Sequence, residues 1–157
     1  TLPAATDPDT DIVFVRRGDG TTAGGGITLS DNQRLLSESV EHEFEAVRGR
    51  YILPGYNPGP LPILSSMSSP IVTLGNNTEV TGFFMEAPNT TVDAIVGTGI
   101  DNASILSNEI TRTNNAILLS EVTGRINVVD NLITENAQNG ISLVNSVSDN
   151  VTLTGIN

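Results

Sequence analysis

The chain has 157 residues, with 18 acidic side chains against seven arginines, no lysine, no cysteine and no tryptophan, and a formal net charge of −11. That balance excludes a nucleic-acid partner, whose phosphates need a basic surface, and argues against an anionic membrane surface. The missing cysteine removes disulfides and thiolate metal sites, the length fits one domain over 1–157, and no apolar run is long enough to span a bilayer.

In chain order, residues 1–11 read as an irregular lead-in. There is no initiator Met and no signal pattern, so Thr1 reads as the start of a processed or excised piece. Ile12-Val-Phe-Val15 is a short β-branched run stopped by Arg-Arg-Gly-Asp-Gly, and predicts a buried strand. The segment Gly26 to Ser37 can be laid on Ile71 to Gly82: Thr28-Leu29 falls on Thr73-Leu74, Asn32 on Asn77 and Leu35 on Val80. A repeat therefore begins before the Pro-rich middle, which reads as an insertion between repeats. Within it, Val40, His42, Phe44 and Ala46 alternate with Glu41, Glu43 and Glu45, which predicts extended structure; the competing pattern is a helix stripe of Val40, Phe44 and Val47 behind Ser37. Pro54 to Pro62 holds four prolines in nine residues and runs into a Ser-rich stretch. It cannot hold a helix or a central strand, so 54–70 is expected to project as a surface loop.

The remainder is periodic. Asp93-Ala-Ile95, Asn115-Ala-Ile117 and Asn139-Gly-Ile141 each set a polar and a small residue before an isoleucine, at steps of 22 and 24 residues. Val80, Ile105, Val128 and Val151 form a second series, and Met85, Ile110, Ile133 and Ile156 follow each of them by five residues. Units this short bury an apolar face only by stacking on their neighbours, so the chain is a solenoid. The apolar runs are brief and β-branched, and the separators are Asn, Gly, Asp, Thr and Ser, which tolerate left-handed turns. The expected fold is all-β: a right-handed parallel β-helix of about five to six coils, rising about 4.8 Å per coil. Ile95, Ile117 and Ile141 form one inward ladder. Asn108 and Asn131 sit three residues after Ile105 and Val128, where their amides can bond from coil to coil.

Ile12-Val-Phe-Val, the Asn-Gly-Ile motif and the Asn-x-Ile-Thr motifs at Asn108–Thr111 and Asn131–Thr134 resemble repeats of the pectin-lyase-like superfamily. The stretch Gly26 to Pro54 is similar to the first coils of β-helical regions in very large bacterial surface proteins, some with autotransporter-like barrels. The resemblance covers nearly the whole chain and implies fold more than function. It departs from the family in two ways: no capping helix precedes Ile12, and the chain stops at Asn157 in mid-coil.

Candidate sites are sparse. Glycoside hydrolysis needs two carboxyls about 5–10 Å apart, hence in one register on adjacent coils. Asp101, Asp130 and Asp149 stand at different offsets from the ladder residues, and the polygalacturonase signatures are missing. No catalytic residue and no cofactor is assigned. Asp7, Asp9 and Asp11 have the spacing of a calcium loop but lack its later Gly and Glu, so a solvated acidic turn is favoured. The lone histidine, His42, reads as structural. Arg17-Gly-Asp19 reads as a turn, and the loose glycine fingerprint from Gly18 is followed by no helix. The Asn-x-Ser/Thr sequons at Asn76, Asn89, Asn102 and Asn150 follow from composition.

The function expected from the sequence is an extracellular or cell-surface structural or adhesive module of a bacterial protein. Its ends, Ile12, Val13, Phe14 and Val15 at one and Val151, Leu153 and Ile156 at the other, are expected to stack on copies of itself or on further coils, giving filaments. The alternative is a domain that binds or degrades polysaccharide; surface glycans are the partner it implies.

Overall fold

The computed structural model describes residues 12–17, 23–46, 49–146 and 150–156. They form a parallel β-solenoid of about six turns, without helix. The first coil is β1 (Ile12–Val15), β2 (Ala23–Gly24) and β3 (Ile27–Thr28). The second holds β4 (Arg34–Ser37), then a hairpin of β5 (Glu43–Ala46) and β6 (Gly49–Ile52), then β7 (Ile63–Ser65) and β8 (Val72–Thr73). The third is β9 (Thr78–Thr81), β10 (Phe84–Glu86) and β11 (Ile95–Thr98), and the fourth is β12 (Asp101–Leu106), β13 (Glu109–Thr111) and β14 (Ile117–Ser120). The fifth is β15 (Thr123–Val129), β16 (Leu132–Thr134) and β17 (Ile141–Val144), and β18 (Asn150–Thr154) opens the sixth.

Each coil contributes one strand to each of three parallel sheets, in the orders β1-β4-β9-β12-β15-β18, β2-β7-β10-β13-β16 and β3-β8-β11-β14-β17. Alternate residues of each strand point inward, so equivalent residues stack at the interstrand spacing. The first isoleucine ladder runs Ile27, Val72, Ile95, Ile117, Ile141, two members longer than the aligned motifs alone supply. The 45-residue offset between Gly26–Ser37 and Ile71–Gly82 is the true register: Thr28 pairs with Thr73 and Leu35 with Val80. The inward residues of the three sheets merge into one apolar cluster that runs the length of the stack.

Tight corners need left-handed backbone, and the polar separators supply it. Asn32 and Asn77 adopt positive φ just before β4 and β9, Asn102 does so at the register shift near the start of β12, and Ser107 and Asp130 do so just after β12 and β15.

The second series ends differently from the spacing that predicted it. Val80, Ile105 and Val128 stack, but the residue above Val128 is Leu153, while Val151 pairs with Ile126. The step from Ile110 to Ile117 is seven residues and that from Ile133 to Ile141 is eight; from Ile117 to Val128 it is 11, and from Ile141 to Leu153 it is 12. One extra residue in each of two corners shifts the last strand by two. The third series stacks as Met85, Ile110 and Ile133. Ile156 is not its fourth member: continuing the β15–β18 register places it over Asn131, half-buried against the core.

The insertion also differs in extent from the expected projection over 54–70. Ile63–Ser65 is already β7, paired to β10 and β2, so the extra chain runs between β4 and β7. The alternating segment is extended, as the hairpin strand β5, antiparallel to β6.

Candidate functional site: the open coil and the inserted hairpin

The two ends of the stack are unequal. In the first coil the inward residues Val13 and Val15 are only 7% and 8% exposed, whereas in the last coils Leu143, Val151 and Leu153 are 40%, 38% and 47% exposed. Ile12 and Phe14 face outward from β1 and are half-buried. Of the residues expected at the ends, the structure therefore places Val13 and Val15 in the core and leaves Val151 and Leu153 open on the last turn. The described residues of this last layer, from Leu132 to Ser146 and Asn150 to Ile156, include a single charged side chain, Glu135.

The expected asparagine stack is present inside the corner after the first sheet. Asn108 donates from its backbone N–H and from Nδ2 to Oδ1 of Asn131, at 3.0 and 3.1 Å, and accepts at Oδ1 from the N–H of Phe83. Two further polar columns lie on the outside. Asp93 Oδ1 accepts from the backbone and side-chain amides of Asn115, whose own Oδ1 accepts both from Asn139. These are the polar residues that open the three aligned motifs. The other column is Asp31–Asn76–Asp101, whose members each stand four residues before a ladder residue, Leu35, Val80 and Ile105. Asn76 donates from its backbone N–H and Nδ2 to the Asp31 carboxylate and accepts at Oδ1 from the Asp101 N–H.

This column decides what the carboxylates can do. The Asn76 amide, and then its backbone N–H, hold the Asp31 carboxyl below its usual range. A general acid for glycoside cleavage needs the opposite shift. Asp101 accepts from Thr123 and Asn102 at the same corner, and Asp130 lies in the corner on the far side of the sheet. Asp149, the calcium-spaced Asp7, Asp9 and Asp11, and Gly18-Asp19 lie outside the described residues. Among the described residues no group of three His, Cys, Asp or Glu side chains could hold a metal ion. The sequon residues Asn76 and Asn102 are committed to coil-to-coil hydrogen bonds, while Asn89 is exposed.

The insertion has a small core of its own. Leu36 points outward from β4, yet it is fully buried and stands apart from the inward cluster. The edge of His42 meets Phe14, ring centroids 6.3 Å apart at 83°, and His42 Nε2–H donates to Ser37 O at 2.7 Å. A Cβ on Gly55 would stand 3.2 Å from Phe14 Cε1, so the loop passes directly over that ring. The loop is tied back by Asn57 N–H to Glu38 O at 2.8 Å and by Ser39 Oγ–H to Pro60 O at 2.9 Å. Glu38 in turn accepts from the backbone N–H and Nε of Arg17. Pro54 to Pro60 is exposed, as a proline-rich loop should be, but it is anchored to the coil. What it presents is Tyr51 at 51%, Ile52 at 55% and Tyr56 at 45% exposure; the chain has no other tyrosine.

The fold and these surfaces define a β-solenoid repeat protein with an inserted hairpin. No protein-family model, curated protein or solved structure matches the chain. No helix of the described structure is long and apolar enough to cross a membrane.

Proposed function

We propose that this chain is a structural or adhesive β-solenoid module of an extracellular or cell-surface protein, joined end to end with further β-coils. The supporting observation is the last coil: Leu143, Val151 and Leu153 stack on the buried Leu119, Ile126 and Val128 and remain exposed. Covering them removes apolar surface from water, and the free edges of β16, β17 and β18 offer backbone groups for parallel pairing. In a head-to-tail joint, β18 of one copy meets β1 of the next. Val13 and Val15 are already shielded, so that side of the joint relies on the backbone edge of β1. A joint of this kind does not close and gives filaments. The bacterial surface setting follows from the resemblance to pectin-lyase-like and autotransporter-like repeats.

The competing reading is a polysaccharide-active domain. The chemistry of the Asp31–Asn76–Asp101 column disfavours it, since those carboxylates are occupied as hydrogen-bond acceptors.

Electron microscopy and light scattering of the purified chain test the proposal. Particles lengthening with concentration and with salt, which screens the −11 charge, are expected, and Leu153→Asp should abolish the growth. A wild-type chain that stays monomeric at high concentration and salt overturns it.

A further inference from the structure

We propose that the inserted hairpin is a second association surface, at which β6 pairs edge to edge, antiparallel, with β6 of a second copy. The pairing ties solenoids side to side, independently of their ends.

The stack does not need the insertion. The step from β4 to β9 spans 45 residues where coils elsewhere take 22 to 25. The added chain is nonetheless held in place by Leu36, Phe14, His42 and the bonds at Glu38 and Ser39. An anchored surface loses little freedom when it binds.

What is held is an incomplete sheet. Among the described residues, β5 and β6 pair only with each other, and every residue of β6 is exposed. A lone two-stranded sheet is marginal, and three or more strands are needed for a stable one. Proteins usually blunt such edges with charge or proline. In sequence β5 is Glu-Phe-Glu-Ala, richer in charge than β6. The β6 strand carries Gly49, Arg50, Tyr51 and Ile52, and its one charge is already paired with Glu43. On a chain of net charge −11, this is an exposed apolar edge with balanced local charge, which suits a second copy.

With Tyr51 opposite its own counterpart, Arg50 falls opposite the other copy's Ile52 and no like charges meet. The four strands β5-β6-β6-β5 then form one continuous sheet. The contact is isologous and stops at two copies.

The absence of cysteine makes the test clean. Directly opposed residues of an antiparallel pair have Cα atoms about 4.5–5.5 Å apart, within the span of a disulfide. Tyr51→Cys and Met67→Cys, the latter on an exposed loop outside the insertion, are each made in a Leu153→Asp background that removes end joining. Under mild oxidation Tyr51→Cys should give covalent dimers about tenfold faster than Met67→Cys, because pairing raises the effective thiol concentration. In sedimentation, the Leu153→Asp protein should be a dimer and should become a monomer when Tyr51→Ser and Ile52→Ser are added. Tyr51 and Ile52 are exposed, so the circular-dichroism spectrum of the folded chain should be unchanged by the serines. Equal cross-linking rates, or a monomer before the serine changes, overturn the hairpin proposal without touching end joining. Retention on a neutral polysaccharide that depends on Tyr51, by a protein that sediments as a monomer, would assign the edge to glycan and equally overturn it.

Discussion

Asn108 and Asn131 are stacked one coil apart inside the core, and each ties its corner to the preceding coil while bonding to the other. Asn131 Nδ2 donates to Ile105 O and Val129 O, and Asn108 Nδ2 donates to Val80 O as well as to Asn131 Oδ1. Every proton on these amides points at a carbonyl oxygen in a buried corner. Asn108→Asp replaces the donor by an oxygen facing Val80 O and Asn131 Oδ1. The expected loss is about 2–4 kcal/mol of unfolding free energy, from unsatisfied buried groups and a poorly solvated carboxyl. Urea unfolding at neutral pH measures it, and a midpoint equal to wild type would refute the structural role of the pair.

The unequal ends predict unequal sensitivity along one core. Ile117 is buried between Ile95 and Ile141, whereas among the described residues no strand pairs with β18 on the side beyond Leu153. Ile117→Asp should abolish cooperative folding, since an unpaired carboxylate in the stack costs more than a domain of this size can spare. Leu153→Asp should cost about 1 kcal/mol or less, as substitutions at exposed positions do. Circular-dichroism melts of the two variants decide this, and comparable losses would mean that the last coil is as covered as the middle.

How much of this was legible depended on whether a residue's role was set by period or by corner length. Ile95, Ile117 and Ile141 could be aligned because they follow a shared polar–small–Ile motif, and the 45-residue match of Leu35 to Val80 could be found because Thr-Leu and Asn recur at fixed offsets. The place of Leu153 above Val128 went instead to Val151, because two corners each gained a residue and the step from Val128 to Val151 is a plausible 23. The Asp31–Asn76–Asp101 column does carry a signal, each member standing four residues before a ladder residue, Leu35, Val80 and Ile105, but the residue types alternate between Asp and Asn and so do not read as one motif. Leu36 gave no signal. A leucine at an outward strand position reads as surface until the insertion that covers it is in place. The open coil and the tyrosine-bearing hairpin follow from packing, which periodicity does not encode.

Gly124 and Gly99 separate backbone strain from contact. Both sit at positive φ, +67° and +63°. A Cβ on Gly124 would fall 2.1 Å from Asp101 Oδ1 and 2.6 Å from Asn102 Oδ1, whereas one on Gly99 would meet nothing within 4 Å. Those two oxygens accept from Thr123 Oγ1–H and the Arg125 N–H, so a methyl group there displaces the bonds that tie β12 to β15. Gly99→Ala should cost about 1–2 kcal/mol, the left-handed strain alone. Gly124→Ala should cost clearly more, and equal losses in parallel urea titrations would show that the corner yields without effort.

Acid should weaken the first two coils before the rest, through Glu38 and Asp31. The Arg17 backbone N–H, and then its side chain, hold the Glu38 carboxyl below the ordinary value of 4.5 against an opposing effect of desolvation. The Asn76 side chain and backbone hold Asp31 below 3.8. Both pKa values are depressed on folding, so the stability they contribute is fully present above the unfolded-state values. It is lost as pH falls below 4.5 for Glu38 and below 3.8 for Asp31, through their folded-state pKa values. Protonated Glu38 is a weaker acceptor for Arg17, and the insertion, whose Asn57 bonds to the Glu38 carbonyl, should loosen with it. Glu38→Gln with Asp31→Asn should therefore be less stable than wild type at neutral pH, yet lose less on acidification. Urea midpoints from pH 7 to pH 3 should converge for the two proteins at the acid end. Parallel curves, with the same acid slope in both, would place the acid sensitivity on other carboxylates.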